Sequence, residues 1–348
     1  MNQERQVHPP QAYPMDPIRF YNTRDTAEKI ATELEISGFC IVNGVLNKEQ
    51  ILRAWNYTWD DLEYMSPQLD RKRPSTWTQD KLPHDQRGMI QSMAGWSKSQ
   101  MYVRNRVARL FSLIYGTSEL DCSADGMTFS GLLKTRKANL VAKAHFDAGP
   151  TQTTRVIQGL VNLIDQNEGD ACFGCYPKSD RYHSELAKDP YNTNWCKLSE
   201  EDHEFLRNKG LRYTRYPLKA GDVLLFYSQV AHSQCEPVKV TRELEGTPYI
   251  VPQKERMVHY VCMAPIDRDP VKRKKTLELK RKAYEENRAT THYPNHSAGK
   301  VRLFPKDLGK GPVGRYKRDI SKFKKAPRVA LEEMSVHTQR RMGLASYS

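Results

Sequence analysis

Val156-Ile157-Gln158-Gly159-Leu160-Val161-Asn162-Leu163 is a short, mostly aliphatic run, too brief for a buried helix, with Arg155 before it and Ile164-Asp165 after it. It is one of a series. Met127-Thr128-Phe129-Ser130-Gly131-Leu132-Leu133 and Asn139-Leu140-Val141-Ala142 precede it, and Cys172-Phe173-Gly174-Cys175-Tyr176, Val223-Leu224-Leu225-Phe226-Tyr227 and Met257-Val258-His259-Tyr260-Val261-Cys262 follow. Each is β-rich and closed by turn residues, the pattern of strands rather than helices. Six such segments predict an antiparallel sandwich or barrel. The first hundred residues carry the other period. Ala27, Ile30, Ala31 and Leu34 predict a helix from Asp25 to Ile36, stopped at Ser37-Gly38; the buried strand Phe39-Cys40-Ile41-Val42 and the turn Asn43-Gly44 follow. A second helix runs from Lys48 to Tyr64, with Ile51, Leu52, Trp55, Trp59 and Leu62 as core, and a third from Ser99 to Tyr115, ended by Gly116. Ser66 to Gln86 reads as a loop. The class is α+β, mainly a β core, with the N-terminal helices packed outside it.

Working outward, residues 1–20 form an irregular proline-rich arm, residues 21–270 the main domain, and residues 271–348 a basic helix and extension. Between Pro177 and Leu211 lies an insertion with a helix from Ser199 to Asn208, opened by a capping box. Residues 271–348 hold 21 Lys and Arg against 7 Asp and Glu, the whole of the +14 net charge, while residues 1–270 balance at 34 against 34. A neutral body with a basic tail suits weak binding of nucleic acid or another polyanion through residues 271–348. No apolar run approaches the roughly 18 residues of a membrane span, and the polar start Met1-Asn2-Gln3-Glu4-Arg5 is no signal peptide. Seven scattered cysteines suit a reducing compartment, so an intracellular place, cytoplasmic or nuclear, is expected. Cys172 and Cys175 lie on a strand without a second pair and read as buried thiols rather than a zinc or redox site.

The chemistry concentrates at Ala144-His145-Phe146-Asp147-Ala148. On an extended strand His145 and Asp147 share a face. An imidazole and a carboxylate side by side supply two-thirds of a 2-His-1-carboxylate facial triad, which leaves positions open on a ferrous ion. The third ligand should be a histidine opening a later strand. Gly221-Asp222-Val223-Leu224-Leu225-Phe226-Tyr227-Ser228-Gln229-Val230-Ala231-His232 offers a turn, a strand, a short connection and then His232. The next strand opens with Arg256, whose planar fork suits a carboxylate bidentately. Gln91 and Gln158 are further candidates for hydrogen bonds in that pocket. Pro294 lies between His292 and His296, so no helix aligns them as a ligand pair.

Taken together, His145 to Asp147, Val156 to Leu163, Pro177, Gly221 to His232, Arg256 to Pro265 and Arg288-Ala289-Thr290-Thr291-His292-Tyr293-Pro294 resemble the phytanoyl-CoA dioxygenase-like branch of the Fe(II)/2-oxoglutarate-dependent oxygenases, over roughly residues 30–300. The resemblance implies a double-stranded β-helix, or jelly roll. It implies that His145, Asp147 and His232 bind Fe(2+), that Arg256 holds the distal carboxylate of the co-substrate 2-oxoglutarate, and that O2 is consumed with release of succinate and CO2. Two departures stand out. Arg256 lies 24 residues beyond His232, about twice the family's usual interval, which makes Arg242, in a charged segment, the alternative anchor. Pro177-Lys178-Ser179-Asp180 stands where the family carries Pro-Gly-Ser-His. The expected activity is hydroxylation of a C–H bond in a small molecule the sequence does not identify. The contrasting expectation is a nucleic-acid-associated jelly-roll protein with an idle iron site, working through its basic tail.

Overall fold

The computed structural model describes residues 17–84, 89–130, 144–188, 194–244, 247–251, 253–304 and 322–347. The first sixteen residues of the arm, the expected strand Asn139 to Ala142 and the basic cluster Arg315 to Arg318 lie outside these.

Three helices, α1 (Arg24–Ser37), α2 (Lys48–Met65) and α3 (Lys98–Tyr115), precede most of the strands. Each is closed by local chemistry. Thr23 caps α1 and Gly38 ends it at φ 79°; Asn47 and Gln50 form a reciprocal capping box on α2; Ser97 caps α3. The buried stripe of α2 runs through Ala54, Thr58, Trp59, Leu62 and Met65. Leu52, expected in the core, is instead 60% exposed, although it lies seven residues, about two turns, before the fully buried Trp59 on the same face.

The strands form two main sheets. β1 (Ile18–Arg19), β2 (Phe39–Asn43), β10 (Val223–Tyr227), β6 (Ile157–Asn162), β14 (Arg256–Pro265) and β3 (Leu120–Cys122) lie in that order, with β4 (Met127–Ser130) also on β14. The second sheet runs β8 (Cys196–Lys197), β5 (His145–Phe146), β11 (His232–Cys235), β7 (Cys172–Cys175) and β9 (Thr214–Tyr216). Apart from the parallel pair β1 and β2, all neighbours in both sheets are antiparallel. From β4 onward the chain passes between the sheets except at β7 to β9: β4, β6, β10 and β14 belong to the larger and β5, β7, β8, β9 and β11 to the smaller. Their inner faces share a core, with the rings of Phe173 and Phe226 5.1 Å apart and those of Phe39 and Tyr216 4.6 Å apart. Helix α3 packs on the larger sheet where β6 has Gly159; a Cβ there would meet Phe111 at 3.1 Å and the Val261 carbonyl at 2.9 Å. The segment holding Arg242, expected as a loop, is a hairpin of β12 (Thr241–Leu244) and β13 (Thr247–Ile250).

The insertion contributes α4 (His183–Leu186) and α5 (Glu200–Asn208), the latter with its Ser199/Asp202 capping box. α6 (Pro270–Glu285) is anchored from below: the fully buried Asp121 takes both oxygens to Arg273 Nη1, at 2.8 and 2.7 Å, and one to Lys280 Nζ at 3.3 Å. Farther on, the backbone N–H groups of Lys324, Ala326 and Val329 donate to the carbonyls of Met65, Met93 and Trp96, and Arg328 donates to the carbonyls of Tyr284 and Glu285. α7 (Val336–Arg341) rests on α3 through Thr338 and Asn105. The described tail therefore lies against the body, with Arg273, Lys280 and Arg328 engaged there.

Two stability measurements follow. Asp121→Ala leaves the ammonium of Lys280 buried without its carboxylate, so it should lower unfolding free energy in denaturant by about 3–5 kcal/mol; a loss below 1 kcal/mol contradicts the anchoring role. His259, in β14 with Nε2 2.9 Å from Thr58 Oγ1, is pushed down to about 3 by burial, with Arg104 adding to the effect. An unfolded histidine titrates near pH 6.5, so between those values the unfolded chain takes up a proton that the folded chain refuses. Stability should therefore fall with pH below about 6.5, by about 3 kcal/mol at pH 4 from this residue. His259→Gln should flatten that part of the profile, and an unchanged slope would contradict it.

Candidate metal centre

β5 is only two residues long, so Asp147 stands one residue past its end rather than within it. The alternation still holds over those three residues. Phe146 turns into a satellite cluster with Tyr176, Leu186 and Leu206, while His145 and Asp147 both line the central cavity. β11 begins at His232, and the antiparallel register sets His232 directly opposite His145. His145 Nε2 is 3.4 Å from Asp147 Oδ1 and His232 Nε2 is 3.4 Å from Asp147 Oδ2. One ligand atom from each of the three lies within 4.8 Å of the others, and among the described residues no other group of three His, Cys, Asp or Glu side chains meets that criterion.

The surroundings orient these side chains. His232 Nδ1 donates to the Val230 carbonyl at 2.9 Å, which holds the ring with Nε2 turned towards Asp147. The ring of Phe173 lies nearly parallel to His232 at 5.7 Å, and Phe226 packs against it at 4.5 Å. The Asp147 carbonyl accepts from Tyr293 Oη at 2.5 Å and His292 Nε2 at 3.2 Å. Burial works to raise the Asp147 pKa, but the nearby His292 charge and the two histidine contacts outweigh it and hold the carboxyl well below its usual range. A carboxylate and two imidazoles converging on one point form the donor set of mononuclear non-haem iron.

The cavity has a volume of about 370 Å³ and also takes in Arg256, Gln158 and Gln91. Arg256 opens β14 and is 2% exposed; its Nε and Nη1 are buried without a hydrogen-bond partner among the described residues. Such a guanidinium is costly unless an anion joins it. Arg242 is elsewhere, on the exposed hairpin, paired with Glu168. Gln158 lies opposite Cys262, six residues along β14 from Arg256, and Gln91 donates through Nε2 to Asp125 Oδ1 at 2.9 Å. Both glutamines thus belong to the end of the cavity remote from Arg256. His296 does not line the cavity, whereas His292 does.

Sequence reading assigned no role to Trp195, Tyr293 or Asp125. The ring of Trp195 stands 5.5 Å from that of His145, yet it comes from the aperiodic insertion. His292 and Tyr293 lie in the Arg288 to Pro294 segment, where only spacing between histidines had been weighed. Asp125 precedes a glycine, which reads as an ordinary turn.

No family model matches the chain. It is 24% identical over 281 residues to the Ava biosynthesis cluster protein O of Aspergillus versicolor, across 76% of this chain and 85% of that protein. Among solved structures it is similar to the Escherichia coli hypothetical protein JW0805, determined at high pH, with a TM-score of 0.56, 16% identity and coverage of 93% of this chain and 82% of that one. A weaker similarity, TM-score 0.47 with 16% identity over 70% of this chain and 85% of the other, is to the epimerase SnoN in complex with Fe3+, alpha ketoglutarate and nogalamycin RO. The likeness to the Escherichia coli protein is one of fold.

Equilibrium dialysis against Fe(II) without oxygen should find one ion per chain. His145→Ala, Asp147→Ala and His232→Ala should each weaken it at least a hundredfold, and Arg256→Ala should not; a triad variant with unchanged affinity would place the ion elsewhere.

Proposed function

We propose that this chain is an Fe(II)- and 2-oxoglutarate-dependent dioxygenase that hydroxylates a C–H bond of a small molecule. The observation that carries the reading is the pairing, within one cavity, of the His145/Asp147/His232 donor set with the buried guanidinium of Arg256, whose Nε and Nη1 have no partner among the described residues. The donor set suits a ferrous ion and leaves coordination positions free. The guanidinium suits a carboxylate at the other end of a short dicarboxylic acid. Supporting it, the eight strands β4 to β7, β9 to β11 and β14 divide between the sheets as in a double-stranded β-helix, crossing at every step except β7 to β9, which pair within the smaller sheet.

With iron, 2-oxoglutarate and O2 bound, the site would supply an oxidation that releases succinate and CO2. The chain's own residues have separate tasks. His145, Asp147 and His232 hold one face of the ion, and the Val230 carbonyl fixes the His232 tautomer. Arg256 orients the co-substrate by its distal carboxylate. Phe173 and Phe226 keep water from the back of His232, which preserves the low-dielectric surroundings in which these charges act strongly. Trp195 beside His145 and Phe304 farther out wall the space left for substrate.

Purified protein given Fe(II), ascorbate and 2-oxoglutarate should form succinate, and His145→Ala and Asp147→Ala should abolish it while leaving the far-ultraviolet circular dichroism spectrum unchanged. Succinate formation at the parental rate in both variants would sink the proposal. Arg256→Ala removes the partner of a buried carboxylate, a loss of about 2–5 kcal/mol, so the 2-oxoglutarate requirement should rise at least thirtyfold. Arg242→Ala, at an exposed pair, should change it less than threefold. The reverse order would transfer the anchor to Arg242.

A further inference from the structure

The cavity contains a buried carboxylate that the proposed chemistry leaves without a task. Asp125 is 4% exposed and lines the cavity wall. Its Oδ1 accepts from Gln91 Nε2 at 2.9 Å and from the Gly126 N–H at 2.7 Å, while Oδ2 has no hydrogen-bond partner among the described residues. The position is built with care. Arg104, itself 2% exposed, donates at 2.6 Å to the Asp125 carbonyl and at 2.6 Å to the Gly95 carbonyl, fixing the backbone from behind. Gly126 allows the Gln91 segment to close on it: a Cβ there would lie 2.1 Å from the Ile90 carbonyl and 2.4 Å from Gln91 Cα. A nearly buried carboxyl with one oxygen lacking a donor among the described residues carries a desolvation cost that a bound hydroxyl would offset.

Its place in the cavity separates it from the co-substrate. Ser130 pairs with Arg256 at one end of β4, and the Gly126 carbonyl accepts from the Tyr260 N–H beyond the other end. The four residue steps from Gly126 to Ser130 span roughly 13 Å of extended chain, which keeps the carboxylate clear of the anion that Arg256 would hold. At the same end, Gln158 lies opposite Cys262; it is 6% exposed, lines the cavity, and its Nε2 is buried without a partner among the described residues. His145, Asp147, His232 and His292 line the same cavity. One acceptor, Asp125 Oδ2, and one donor, Gln158 Nε2, therefore remain at this end of it among the described residues.

We propose that Asp125 and Gln158 are substrate-binding residues that select a neutral compound bearing a hydroxyl group, which donates to Asp125 Oδ2 and accepts from Gln158 Nε2. An alcohol provides both functions in one atom. Burial pushes the Asp125 carboxyl above its usual range, and His292, the Gly126 and Gln91 hydrogen bonds and Arg104 offset this only in part, so a neutral donor suits it better than a cationic amine. The neighbouring walls of Trp195, Phe304 and Met89 favour an apolar or aromatic body attached to that hydroxyl. This deepens the proposed function by naming a substrate class, and it rests on that reading for the metal side of the cavity.

The test uses 2-phenylethanol, its methyl ether and 2-phenylethylamine as probes, in calorimetric titrations of the full chain. Titrations are run both without metal and with Fe(II) and 2-oxoglutarate under anaerobic conditions, and 2-oxoglutarate affinity is measured separately. The alcohol should bind at least tenfold more tightly than the ether and no more weakly than the amine. Asp125→Ala should remove that preference while changing 2-oxoglutarate affinity less than twofold. If Asp125→Ala does not fold, Gln158→Leu must reduce the preference at least threefold. Equal binding of alcohol and ether, tighter binding of the amine, binding of none of the three, or loss of 2-oxoglutarate affinity in Asp125→Ala would each overturn the assignment. Failure of 2-oxoglutarate to bind the unmodified chain, with the alcohol preference intact, would instead reject the proposed reaction and leave the subsite standing.

Discussion

The antiparallel pairing of β5 with β11 is the constraint on which the rest of the molecule depends. It puts His145 across from His232 and brings Asp147 between their Nε2 atoms, although the three residues span 145 to 232 in the chain. Nothing local holds so short a strand as His145–Phe146 in register. Its position is set by β8 on one side, by β11 on the other, and by Phe146 buried in the cluster beneath the insertion. The larger sheet and the helices on it give that small sheet a rigid surface to pack against.

The polar groups inside the core show where the fold gives up stability. A buried guanidinium at Arg256 and a half-satisfied carboxylate at Asp125 would both be replaced by apolar side chains if packing were the only demand. Asp121 with Arg273 and Lys280 is the contrasting case: there one buried carboxylate accepts from both cations and holds α6 against β3.

Much of this arrangement was legible in the chain. The helix ends at Gly38 and Gly116, the capping box at Ser199, and the strands at Val223 to Tyr227 and Arg256 onward follow from residue types whose conformational preferences act locally. The meeting of His145, Asp147 and His232 could be anticipated from strand context because a side-chain period of two leaves few choices of face. What the sequence did not disclose depends on distant contacts. Leu52 is exposed because of how α2 is rotated against α3 and the sheet, not because of its own period. The strand character of Arg242 comes from pairing with Tyr249. Asp125 and Gln91 meet only because Gly126 lets two non-adjacent segments close, and Trp195 approaches His145 from an insertion with no pattern to read.

The central claim is that one iron ion and one 2-oxoglutarate share the cavity between the triad and Arg256. Crystals grown with Fe(II) and 2-oxoglutarate in the absence of oxygen, measured at the iron absorption edge, test it most directly. The account predicts a single anomalous peak in bonding contact with His145 Nε2, His232 Nε2 and an Asp147 oxygen, with a dicarboxylate running from it to the guanidinium of Arg256. A peak liganded by other side chains, or a dicarboxylate bound away from Arg256, would contradict it.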